Sequence, residues 1–74
     1  MARKKAVIHF RSRHQTGNIY WIMGAVRDQM RKEQRITDWN NAWERIHETD
    51  YAGALQIMRE LVDLIDDDGV YKND

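Results

Sequence analysis

The sequence predicts a single α+β domain, mainly helical, in which an N-terminal β-strand precedes three helices and pairs across a homodimer. Three observations carry this. Residues 6–13 alternate apolar and polar positions, which is the period of a strand. Three later segments repeat apolar residues at the spacing of a helix. A lone strand in a 74-residue chain also has edges that need a partner.

In the strand, Ala6, Ile8, Phe10 and Ser12 fall on one side, and Val7, His9, Arg11 and Arg13 on the other. Residues 14–18 are polar, contain Gly17 and read as a turn. The first helix runs over 19–35 on the stripe Ile19, Ile22, Met23, Val26 and Met30, with Asn18 or Thr16 placed to cap it. Arg31, Lys32 and Arg35 suit its C-terminal end, where the dipole favours cations. Gly24 sits mid-helix and, with Ala25, allows another backbone to approach closely. A second helix starts at Thr37 or Asp38, runs to 48 and packs through Trp39, Ala42, Trp43 and Ile46. A third runs from Tyr51 to 66 behind a Thr49 or Asp50 cap, on Tyr51, Ala54, Leu55, Met58, Leu61, Val62 and Ile65, and Gly69 ends it. Val70–Lys72 could add a short strand, which leaves the strand over 6–13 to pair with it, with a partner or with a second copy. Residues 1–5 read as a basic N-terminal tail, 6–71 as one β-α-α-α domain and 72–74 as a C-terminal tail.

Composition narrows the function. Twelve basic residues balance twelve acidic ones, but unevenly. Through Arg35 there are nine basic and two acidic residues, a balance of +7; from Ile36 on there are three and ten, a balance of −7. The halves are expected to attract each other, or the basic half to meet an anion. Zero net charge speaks against a protein that coats DNA. There is no cysteine, hence no disulfide or thiolate metal site. No apolar run approaches the ~20 residues of a membrane span, and the stretch after the basic tail is too short for a signal peptide. The expected location is the cytoplasm.

Four groups of residues bear on chemistry. Arg11, Arg13, His14, Thr16, Gly17 and Asn18 lead straight into a helix start, where backbone amides and the dipole favour an anion. Gly17 would let a phosphate approach, although the spacing and the lysine of a P-loop are missing. Against this stands a plain strand-to-helix turn with solvated arginines. Tyr20 and Trp21 fall beside the helical stripe, free for a subunit contact or for stacking on a base, whereas Trp39, Trp43 and Tyr51 match apolar stripes and belong in the core. Asp63 and Asp66–Gly69 suggest calcium, but the EF-hand spacing fails, and pairing with the N-terminal arginines and lysines is the better reading. His9, His14 and His47 share no motif, and no catalytic constellation stands out, so neither catalysis nor a metal or other cofactor is expected.

The run Gly17-Asn18-Ile19-Tyr20-Trp21-Ile22-Met23-Gly24-Ala25-Val26, with Asp50-Tyr51 followed by Leu55, Met58 and Val62-Asp63, resembles a group of short bacteriophage and mobile-element proteins. Those carry a strand, a glycine–asparagine turn, an aromatic-rich helix with a basic end and an aspartate–tyrosine helix start. The likeness covers residues 6–65, and the middle helix with Trp39 and Trp43 departs from it. The group has no settled activity, so the resemblance implies a phage setting. On this basis the chain is expected to be a viral homodimer or higher homo-oligomer in the host cytoplasm. It would act against host defence by capturing an anionic ligand such as a nucleotide signal through Arg11, Arg13, His14, Thr16, Gly17, Asn18, Tyr20 and Trp21. The alternative is a protein–protein inhibitor of a bacterial defence enzyme, of the anti-CRISPR kind. A DNA-binding accessory protein ranks last.

Overall fold

The computed structural model describes residues 5–71. Strand β1 (Val7–Phe10) leads through a short 3-10 turn (Gln15–Gly17) into helices α1 (Ile19–Lys32), α2 (Ile36–Ile46) and α3 (Tyr51–Met58), and strand β2 (Asp63–Asp66) follows. β1 and β2 pair in parallel, with Val7 opposite Asp63 and Phe10 opposite Asp66. The two strands make one sheet. A parallel pair needs a crossover, and here three helices supply it.

The expected strand and three helices are present, with corrections at the C-terminal end. The third helix stops at Met58 instead of continuing to residue 66. Residues 63–66 are extended and give β1 an internal ladder partner, the role expected of another copy or of Val70–Lys72. Val70 and Tyr71 form no strand, and Lys72 lies outside the described residues. Gly69, expected to end the helix, has φ 74° in the turn after β2. The apolar stripe misleads because Leu61, Val62 and Leu64 are all buried, which a turn and strand achieve as well as a helix does. Ile65, assigned to the stripe, points outward and is 41% exposed. Alternation within β1 follows expectation: Ala6, Ile8, Phe10 and Ser12 are more covered than Val7, His9 and Arg11.

The core joins all of the elements. Phe10 and Leu64 come from the sheet, Ile22, Val26 and Met30 from α1, Trp39, Ala42 and Ile46 from α2, and Ala54, Leu55 and Met58 from α3. Asn18 caps α1, its side chain accepting from the Tyr20 amide. Asp50 caps α3 by accepting from the Gly53 amide. α2 begins at Ile36, after Arg35, with no side-chain cap. Trp39 is buried as expected, but Trp43 is 45% exposed and packs edge-on against His47, with ring centroids 4.0 Å apart.

The outer side of β2 is partly covered. The Arg59 guanidinium donates to the carbonyls of Leu64 and Tyr71, which ties the chain after β2 back along the strand. Gly24 behaves differently from the other helical glycine, Gly53: a Cβ built on it meets nothing within 4 Å, and its φ is not positive. Gly24→Ala should therefore stabilise the folded monomer by about 1 kcal/mol, the helix cost of glycine. In a domain of this size that is a rise of roughly 4–8 °C in Tm, to be read by circular dichroism in dilute solution. A lowered Tm would mean that Gly24 serves the chain's own packing.

Candidate functional site

The residues expected to hold an anion form one continuous strap between β1 and α1. Arg11 through Asn18 line a single shallow, open hollow. Tyr20 and Trp21 do not line it; both are exposed on α1, Tyr20 at 78% and Trp21 at 43%.

The strap's amides are largely spoken for. The Arg11 amide donates to the Thr16 hydroxyl at 2.9 Å. The amides of His14, Gly17 and Asn18 close turns onto the carbonyls of Arg11, His14 and Gln15. Two carboxylates, one from the last residue of β2 and one from the turn that follows it, take the rest of the anion's role. Asp66, 8% exposed, accepts at one oxygen from the amides of Ser12 (3.1 Å) and Asp68 (3.0 Å), and at the other from Val70 (3.0 Å) and Tyr71 (2.9 Å). Asp68 accepts from the Arg13 amide at 2.9 Å, from Arg11 Nη2 at 3.4 Å and from His14 Nδ1 at 3.2 Å. An ionised carboxylate only accepts, so His14 carries a proton on Nδ1.

These contacts explain the titration of both acids. Burial opposes the charge on Asp66, but hydrogen bonds donated to it outweigh burial and hold the carboxyl well below the usual range. We assign that stabilisation to backbone amides, because the buried Ser12 hydroxyl has no partner at hydrogen-bond geometry among the described residues. The Arg13 amide, helped by His14 and Arg11, likewise lowers Asp68 against the opposing effect of burial. Arg11 pairs with Asp68, as expected of the N-terminal arginines, and among the described residues no group of three or more potential metal ligands occurs. The charges of Arg11 and Arg13 offset those of Asp66 and Asp68. An incoming anion therefore meets little net attraction there.

Gly17 is buried for a reason unrelated to phosphate. A Cβ on it would lie 2.6 Å from the Arg11 carbonyl oxygen and from Ser12 Cα, so the missing side chain makes room for the strap's own backbone. The Tyr51 hydroxyl donates to the Gly17 carbonyl. The glycine–asparagine turn and the aspartate–tyrosine helix start thus meet as one structural unit, although Gly17 and Tyr51 are 34 positions apart in the chain. Burial, reinforced by Tyr71 and Asp66, raises the pKa of Tyr51 and keeps that donor protonated.

A second concavity lies between α1 and the α2–α3 turn. Ile19 and Met23 of α1, Ile46, and Tyr51 and Ala54 of α3 line it, with exposed Tyr20 and His47 beside them. The Trp43 ring extends this surface through its contact with His47. Its volume is about 250 Å³, below the roughly 300–1,000 Å³ of small-molecule sites. Among the described residues no lysine or arginine lines it, and Asp50 does, so it suits an apolar group and not a phosphate. Sequence reasoning finds Tyr20 here but misses Met23, Ile46 and His47 as site residues. Their signal is present in the apolar spacing of α1 and α2, which does not reveal where two stripes diverge. No protein-family model, no curated protein and no solved structure matches this chain.

Among the described residues no helix is long and apolar enough to cross a membrane.

Proposed function

We propose that this chain is a small binding protein that performs no catalysis, works as a homodimer and engages another protein by seating one of its apolar side chains in the α1/α2–α3 cleft. The observation that carries this reading is the cleft itself: apolar Met23, Ile46 and Ala54 with the exposed His47 and Trp43 rings beside them. Exposed aromatics next to a small apolar depression are the makings of an interface anchor site. The phage resemblance supplies the setting, an inhibitor of a bacterial defence enzyme in the host cytoplasm.

Capture of an anionic nucleotide signal is the second reading, favoured by Arg11, Arg13 and His14 around one hollow. It ranks lower because a ligand there must displace Asp68. Immobilised protein should retain one stoichiometric partner from bacterial lysate. Thr49→Arg, which places a long charged side chain in the cleft, should lose that partner with an unchanged melting curve. Retention of the same partner by Thr49→Arg would move the interface elsewhere. A calorimetric titration with linear and cyclic nucleotides that finds binding tighter than about millimolar, ~4 kcal/mol, would put the second reading first.

A further inference from the structure

Gly24 is a glycine the chain's own fold does not use. It weakens α1, occupies an ordinary helical conformation, and opens onto space, with no atom of the described residues within 4 Å of the place a Cβ would take. On a helix, Tyr20, Trp21, Gly24, Arg27, Asp28 and Arg31 share one face by their three- and four-residue spacing. All of them except Gly24 are exposed, and Gly24 is half-buried. The face is a notch with two aromatic rings one turn before it and a cation and an anion one turn after it.

We propose that α1 docks antiparallel against α1 of a second copy, crossing at Gly24. This deepens the homodimer of the reading above by naming its surface. A two-fold axis through the crossing sets each residue before Gly24 opposite the residue equally far after it. Trp21, three before, meets Arg27, three after; Tyr20, four before, meets Asp28, four after. The first pairing is a cation on an indole face, and the second lets the phenol donate to a carboxylate. Symmetry makes each pairing twice. Arg27 and Asp28 are free to take these partners, since their mutual contact is 3.7 Å long between side chains 47% and 64% exposed. A glycine at the crossing allows the helix axes to approach at the short end of the usual ~8–10 Å. An unrelated helix would fit the notch but would not account for the match of the face to itself.

Light scattering and sedimentation equilibrium at about 100 µM should return twice the chain mass of 8.9 kDa. Gly24→Gln introduces a good helix former but fills the notch, and should weaken dimerisation at least tenfold while leaving the dilute-solution melting temperature equal or higher. Trp21→Ala and Arg27→Ala should each weaken the dimer, and together by less than the product of their separate effects. Thr49→Arg should leave the dimer intact, so a failed cleft and a failed helix interface are told apart. A monomeric wild type overturns the proposal, as does a Gly24→Gln variant that dimerises like wild type; the latter result would move the interface to the open edge of β1.

Discussion

Asp66→Ala should remove a large part of the protein's folding stability at room temperature. Its carboxylate receives four backbone amides, from Ser12, Asp68, Val70 and Tyr71, and removal strands them in a part-buried setting. At about 1–3 kcal/mol for each stranded donor, with some donors reaching water instead, the loss comes to about 3–5 kcal/mol. A chain of this length has roughly 4–11 kcal/mol in total. Asp66→Asn should lose less, since one oxygen still accepts while the amide nitrogen faces two other donors. Urea titration followed by circular dichroism measures both. An Asp66→Ala midpoint within error of wild type would show that the amides find other partners. The same contacts set an acid dependence. Asp66 and Asp68 ionise at lower pH in the folded chain than in the unfolded one, where the ordinary value is 3.8. Their contribution is complete above that ordinary range and declines as pH falls below it toward the folded values. The urea midpoint should therefore drop steadily from about pH 4 to pH 2, and the drop should be shallower in Asp66→Asn.

Gly17→Ala should be nearly as damaging, through sterics alone. The added carbon would sit 2.6 Å from three backbone atoms of Arg11 and Ser12. Backbone cannot rotate away as a flexible side chain can, and this backbone is held on its other side by Asp66 and at Gly17 itself by Tyr51. Overpacking of this kind costs about 3 kcal/mol, at the upper end of the usual range. The variant should also lose the Tyr51–Gly17 bond, seen as a fall in the pKa of Tyr51 by ultraviolet titration. A loss below ~0.5 kcal/mol, the scale of an ordinary surface substitution, would show that the strap has room to move.

How much of this is legible in the sequence depends on the length of each pattern. α1 offers Ile19, Ile22, Val26 and Met30, four points on one helical stripe, and its Asn18 cap is readable too. β2 offers four residues, Asp63-Leu64-Ile65-Asp66, of which Ile65 also continues the spacing of Met58, Leu61 and Val62. Over so short a run the two periods cannot be separated, and the strand reads as the end of a helix. The basic strap is legible as a place that wants an anion. That the anion is the chain's own depends on Phe10 lying opposite Asp66, which is a matter of register between distant segments. Trp43 reads as a core residue because helical spacing fixes a direction but not whether anything packs there.

The parallel ladder also dictates an order of events during synthesis. Val7 leaves the ribosome long before its partner Asp63, 56 positions later. At ~5–20 residues per second the first strand waits roughly 3–11 s for the second. The α1–α2 hairpin needs only neighbouring residues and can form in that interval, whereas the sheet must close a loop that contains every helix. Until then β1 presents two bare edges, and Lys5, Arg11 and Arg13, flanking its four ladder residues, act as charged gatekeepers against nascent chains pairing with one another.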